Sequence, residues 1–236
     1  MALDLQVVRV VAATGMLLGA AVLDLRARRV PNRYWLPFLG LAVLLDAHAA
    51  WTMGWEAVQV PFVLAALVGG MFYAIWRVGL YGGADAKGLM VLALLAPFPI
   101  VPWTGAFLPI GLPPALDAIT NGTLLVLAFP LAMAAYNLAR GNLAFPALLL
   151  GVPMDLDAAE ARHVYPMQAA APGGGLAWRY WQRAGGSRAE AYAALRAEGV
   201  QRVWATPKVP LLTFVALGWL AALAVGNLAL RLLPPP

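Results

Sequence analysis

Six apolar runs, at residues 5–23, 34–52, 58–78, 89–103, 123–139 and 209–230, occupy most of this chain and limit what it can fold into. A helix needs about 20 mostly apolar residues to cross a bilayer, and most of these runs approach that length; the fourth is short and ends in Pro97, Pro99 and Pro102. Of 236 residues, 62% are hydrophobic and 11% charged. A soluble domain is about a quarter charged, so this chain has too little polar surface to cover a water-facing globule. The expected fold is an all-α polytopic membrane bundle of six transmembrane helices.

The basic residues orient that bundle. Arg26, Arg28, Arg29 and Arg33 follow the first run, whereas a cleaved secretory signal carries its positive charge in front. The first run therefore reads as a retained helix with its N-terminus outside. Alternating from there, the cytoplasmic pieces are 24–33, about 77–88 and 140–208. They hold four, two and eight Lys/Arg, 14 of the chain's 16, while the turns near 53–57 and 104–120 hold none. This is the positive-inside skew. Arg9 is expected to snorkel at the outer end of the first helix, and Tyr34, Trp35 and Trp51 to mark the two interfaces. Residues 104–120, with Pro109, Pro113, Pro114 and Asp117, read as an external loop. Residues 142–150 are apolar but too short to span, which suits a place along the interface.

Three segments follow in order: a membrane domain at 1–151, a small cytoplasmic α+β domain at 152–207 between the fifth and sixth spans, and the sixth helix with its tail at 208–236. Within the polar segment, Ser187-Arg188-Ala189-Glu190 is a capping box and Gly199 a helix stop; 162–165 and 201–205 read as strands. Gly173-Gly174-Gly175 lacks the Lys-Ser/Thr of a phosphate loop and reads as a turn.

Composition narrows the chemistry. With no cysteine, thiol nucleophiles, disulfides and cysteine-held metals are excluded. Two histidines, His48 and His163, cannot build a multi-histidine metal site, and Ser187 is the single serine. No cofactor fingerprint is present. Nothing points to nucleic acid, because topology accounts for the basic residues and no aromatic-interleaved basic groove is visible. Carboxylates remain. Asp4, Glu56 and Asp117 fall at or beyond the outer interface. Asp46 reads as a locally satisfied polar residue near His48, and Asp155, Asp157, Glu160, Glu190 and Glu198 belong to the polar segment. Asp24 and Asp85 differ: both fall at cytoplasmic ends of spans, one after the first helix and one before the fourth. They could be simple anchors, Asp24 paired with Arg28 and Asp85 with Lys87 or Arg77. Yet acids at a membrane are expensive, about 2.5–3.5 kcal/mol at mid-helix and less near the interface, so two converging at one face invite a functional explanation. Gly82-Gly83 beside Asp85 would let the backbone bend and admit an extended substrate. A close pair of carboxylates shares one proton, leaving one acid and one base.

These residues resemble a known family. Asp24-Leu-Arg-Ala-Arg-Arg-Val-Pro31-Asn32 is similar to the first motif of the prepilin peptidases. Gly82-Gly83-Ala84-Asp85-Ala86-Lys87 resembles the GxGD signature of membrane aspartyl proteases. His163-Val164-Tyr165-Pro166-Met167 and Val203-Trp204-Ala205-Thr206-Pro207-Lys208-Val209-Pro210 resemble segments of the archaeal preflagellin peptidase branch. The resemblance implies that Asp24 and Asp85 are the catalytic pair, with Gly82, Gly83, Ala84, Lys87, Pro31 and Asn32 binding substrate or shaping the site. It implies no metal and no cofactor. It also implies partners: archaellin-like or pilin-like precursors with class III signal peptides, whose short basic leader is removed at the cytoplasmic face of the cell membrane, typically after a glycine. Ala84 replaces a glycine of the strict motif, which implies either a backbone conformation open to alanine or a slightly different loop. The cysteine-rich domain of the bacterial bifunctional enzymes is absent, so no N-methyltransferase activity is expected. Two other readings compete: a presenilin-like or signal-peptide-peptidase-like protease, whose acids lie deeper in the bilayer, and a non-enzymatic membrane scaffold or transporter subunit.

Overall fold

The computed structural model describes residues 2–27, 29–100, 112–162, 164–171, 174–180, 187–207 and 209–232. Arg28, residues 101–111 with Pro102 and the end of the fourth apolar run, His163, Gly173 and Lys208 lie outside the described residues. The chain divides into two compact units, residues 1–126 with 210–236, and residues 127–209.

The first unit is helical. Helix α1 (Ala2–Ala27) stops short of Pro31, whose ring disfavours helical backbone at the residue before it. A single 3₁₀ turn (Asn32–Tyr34) leads into α2 (Leu36–Met53), which carries Pro37 in its first turn, where a missing N–H costs nothing. Gly54, at φ +81°, separates α2 from α3 (Trp55–Arg77). Then come α4 (Gly83–Leu95), α5 (Pro114–Ala139), α9 (Leu211–Val225) and the short α10 (Leu228–Arg231).

Four candidate spans have the length and apolarity to cross a membrane: Leu5–Ala27, Asn32–Met53, Trp55–Arg77 and Pro114–Ala139. Helices α4 and α9 are shorter, with 13 and 15 residues. At 1.5 Å per residue they are about 20 and 22 Å long, against a hydrocarbon core of about 30 Å. The fourth apolar run thus forms a helix that starts six residues before Leu89 and ends at Leu95, ahead of the prolines. The expected loop at 104–120 also needs correcting at its end: Pro114 opens α5, and Asp117 lies in its first turn.

Small residues bring α5 and α9 into backbone contact. A methyl group on Gly122 would lie 2.8 Å from the Phe214 carbonyl oxygen, and one on Gly218 would strike the backbone of Ala118 and Gly122. Asn121 closes the same corner: its amide donates to the carbonyls of Gly218 (3.2 Å) and Gly226 (3.0 Å), and its oxygen accepts from the N–H of Leu228 (2.8 Å). Helix α1 meets α9 through Trp219 Nε1, which donates to Thr14 Oγ1 at 2.9 Å.

Three expectations about side chains change. Arg9 is 2% exposed and does not snorkel: its Nη1 lies 2.7 Å from Asp46 Oδ1 and donates to the carbonyl of Leu95, the last residue of α4, at 3.1 Å. The partner of Asp46 is therefore on α1, not His48. Trp35, 4% exposed, is a core residue, and the Tyr34 hydroxyl donates to the Met16 carbonyl at 2.7 Å; both are packing groups. Trp51, 89% exposed, keeps the position an interfacial aromatic needs.

The second unit contains the end of α5, α6 (Ala147–Leu150), α7 (Leu156–Ala161) and α8 (Arg188–Ala197). Its strands are β1 (Val152–Asp155), β2 (Val164–Pro166), β3 (Gln168–Ala170), β4 (Leu176–Trp178) and β5 (Arg202–Pro207). They form an antiparallel sheet ordered β1-β5-β2 and a separate β3-β4 ribbon. Leu156, Ala159, Val164, Tyr192, Leu195, Val203 and Ala205 make its core. Burial pushes the Tyr192 phenol above its ordinary pKa while its hydroxyl donates to the Val164 carbonyl at 3.2 Å. Of the expected capping box the N-cap bond is present, with Ser187 Oγ accepting from the Glu190 N–H at 3.4 Å, and Gly199 stands at φ +71° after the helix. Ser187→Ala is expected to lower the stability of this unit by about 1 kcal/mol, read as earlier loss of amide-exchange protection across α8 than elsewhere in the protein.

Candidate active site

The first aspartate rides on the inward stripe of α1. Ala13, Met16, Leu17, Ala20 and Ala21 are buried at helical spacing, and Asp24 extends that stripe one turn further, half-buried, in the last turn of the helix. On α4 the buried positions are Ala86, Gly88, Leu89, Val91, Leu92, Ala93 and Leu95, so this helix is buried almost all round. Asp85 lies in its first turn, one turn before Gly88 and Leu89, and is also half-buried. Leu89, Leu92, Ala20 and Ala21 belong to one core, against which Tyr81 and Ala84 pack.

A polar link joins the two motifs. Lys87 Nζ donates to Asn32 Oδ1 at 2.8 Å. This places the start of α4 beside the α1–α2 connection, so Asp24 and Asp85 lie at the same end of the bundle. Pro31 and Asn32 are exposed on that connection, with Val30 and Trp35 buried on either side.

The glycines act differently from the expectation. Gly82 has φ −63° and ψ 147°, a conformation open to any residue. A methyl group there would lie 2.7 Å from Asp85 Oδ2, so a side chain at this position would push the carboxylate from where it folds back over the start of its own helix. The sharp bend belongs to Gly79 instead. At φ +81° it follows α3, its N–H bonding the Trp76 carbonyl (3.0 Å) and the Leu80 N–H bonding the Ile75 carbonyl (3.1 Å). That is the paired arrangement that ends a helix at a left-handed glycine. Ala84 lies within α4, where alanine is the most favourable residue, so its substitution for glycine disturbs no loop.

Sequence reasoning missed three further contributors. Trp76, from the last turn of α3, lays its indole beside Gly83, where an added methyl would lie 3.3 Å from Nε1; the same ring is 5.7 Å from Lys87 Nζ. Trp35 and Leu212 close on Gly88 at 3.1 and 3.0 Å from where a methyl would be, which seats α4 one turn beyond Asp85. Gly79 was findable, as a glycine two residues past the last basic residue of an apolar run. Trp76 carried no signal, since its role depends on how α3 packs against α4.

What this end of the bundle offers chemically is two half-buried carboxylates on adjoining helices, one in the first turn of a helix, where the dipole favours the ionised form. Among the described residues no cluster of three or more His, Asp or Glu suits a metal ion. The acidic group of the second unit is already engaged there. Arg196 Nη2 contacts Asp157 Oδ1 at 2.6 Å and Glu160 Oε2 at 2.8 Å, which raises the guanidinium pKa further, and Arg202 Nε lies 3.7 Å from Asp155.

Comparison with known proteins gives the family of the chain. A preflagellin peptidase of Methanococcus voltae is 26% identical over 235 residues, covering 93% of this chain and 95% of that protein. The sequence profile of the type IV leader peptidase family matches residues 11–138, a stretch that contains both aspartates, Asn32 and Lys87. This chain, with its apolar spans and its paired motifs at one end of a helical bundle, belongs to the type IV leader peptidase family.

Proposed function

We propose that this protein is a membrane-embedded aspartyl endopeptidase that removes short basic leaders from archaellin-like or pilin-like precursors at the cytoplasmic face. Asp24 and Asp85 are its catalytic pair. The observation that carries this reading is the convergence of the two motifs, tied by Lys87 and Asn32, at one end of the helices. The positive-inside count puts that end in the cytoplasm, in a six-span chain with its N-terminus outside. The segment at 152–207 is then a cytoplasmic domain.

The chemistry follows from two acids sharing one proton. The ionised carboxylate takes a proton from water as the water oxygen attacks the scissile carbonyl carbon. The protonated carboxyl donates a hydrogen bond to the oxyanion that forms. When the tetrahedral intermediate collapses, the C–N bond breaks and a proton goes to the departing nitrogen. The leader leaves with a new carboxylate, and the mature chain with a free amine. The two acids titrate as a unit, so acid and base are properties of the pair. A helical peptide hides its carbonyl carbons, so the precursor is extended at the cut and helical beyond it.

The test is the N-terminus of a candidate archaellin-like or pilin-like precursor, read by mass spectrometry after incubation in membranes with and without this protein. The expected result is a new N-terminus just ahead of the apolar helix, dependent on the protein. Precursors of this class left uncleaved by active membranes would reject the proposed substrate.

A further inference from the structure

We propose that Lys87 is a positioning residue: by holding Asn32, it fixes where the α1–α2 connection docks on α4 and so sets the placement of Asp24 relative to Asp85. The inference rests on the reading of those two acids as the catalytic pair.

Asn32 and Lys87 are 55 residues apart in sequence, yet Nζ and Oδ1 are 2.8 Å apart in space. Besides Lys87, the connection that carries Asn32 is held by Tyr34, whose hydroxyl donates to the Met16 carbonyl at 2.7 Å. Arg29, Pro31, Asn32 and Arg33 are all exposed, and the buried anchors are Val30 and Trp35. Asp24 is in the last turn of the helix entering this connection, so its position depends on where the connection is tied. Lys87 itself is well placed to be rigid. It lies in the second turn of α4, with Ala86 and Gly88 buried on either side, and its ammonium is against the Trp76 ring. Its stem leaves the helix two residues beyond Asp85, and residues two apart point to different faces. The ammonium thus joins three elements at the mouth of the site: the α1–α2 connection, the end of α3 and the start of α4. A charged donor to a neutral amide is among the stronger hydrogen bonds. A displacement of about 1 Å at a catalytic group can cost about 10²-fold in rate.

The experiment combines kinetics with a distance. Lys87→Met keeps the length of the stem and removes the donor. On a precursor that the unaltered protein cleaves, it is expected to lower kcat by about tenfold to a hundredfold with KM changed less than about twofold. Asn32→Ala should do the same, and the double variant should be no worse than the more severe single one. Asn32→Asp, which still offers Lys87 an oxygen, should recover most of the loss seen in Asn32→Ala. Because the chain has no cysteine, Arg29→Cys with Leu80→Cys places two spin labels on exposed positions of the connection and the α3–α4 turn. The distance distribution between them should broaden when Lys87→Met is added. An unchanged kcat, a loss carried by KM alone, multiplying effects in the double variant, or an unaltered distance distribution would each overturn the tie. Cleavage retained by Asp85→Asn would instead overturn the reading of the acids, leaving the distance result to stand on its own.

Discussion

Asp24→Asn and Asp85→Asn are each expected to lower leader cleavage by about 10²- to 10⁴-fold, with the protein still inserted in the membrane. Asparagine matches the shape of aspartate and would occupy the same half-buried place in the last turn of α1 or the first turn of α4, so packing is preserved. What changes is the proton inventory. With one amide, the site holds either an acid or a base but never both, and the step that moves a proton from water to the departing nitrogen has no complete path. The two losses should not multiply in the double variant, because either substitution alone disables the pair. The unaltered protein should show a bell-shaped dependence of kcat/KM on pH, falling where the second proton binds the pair and again where the shared proton is lost. Western blotting of a co-expressed precursor reads the first result. Full processing by either variant would remove that residue from the catalytic pair.

The second large effect is expected far from the acids. Arg9→Ala should destabilise the protein by about 3–5 kcal/mol, because it leaves Asp46 without its countercharge among packed helices. It also takes the donor from the Leu95 carbonyl, one of the unpaired oxygens at the end of α4. For a chain of this size the cost corresponds to a fall in Tm of about 10 °C, measurable by thermal unfolding of purified protein in detergent. A charge-free replacement should behave differently. Arg9→Met with Asp46→Leu fills similar volume and buries no charge, and such swaps are often neutral or stabilising. Its Tm should return close to that of the unaltered protein. If the double variant were as unstable as Arg9→Ala, the Leu95 contact rather than the ion pair would be the larger contribution.

The contrast between Arg9 and the two aspartates shows how far local reasoning reaches. Asp24 and Asp85 stand out in sequence because one follows an apolar run and the other precedes one beside a glycine break, and charge at such a place is informative without knowing what packs nearby. Ser187 and Glu190 were legible for a similar reason: a cap is made within one turn. Arg9 was misread because its partner is 37 positions away on another helix. A lone cation near the end of a span looks the same in sequence whether it reaches for headgroups or for a buried acid. Trp35 was misread likewise, since an aromatic at the start of an apolar run can face lipid or core. The bend expected at Gly82-Gly83 lies at Gly79 because composition does not distinguish a glycine needed for positive φ from its neighbours.

By itself the sequence determined that this chain carries helices apolar enough to cross a membrane, and where along it Asp24 and Asp85 fall at their ends. Both follow from hydropathy and from residue spacing within single helices. Only the tertiary structure decided which helices are long enough to span on their own, that Arg9 is locked to Asp46 and the end of α4, and that Lys87 reaches Asn32 across 55 residues. Those outcomes depend on which faces of different helices meet, and a contact between distant segments is an energy the local pattern does not contain.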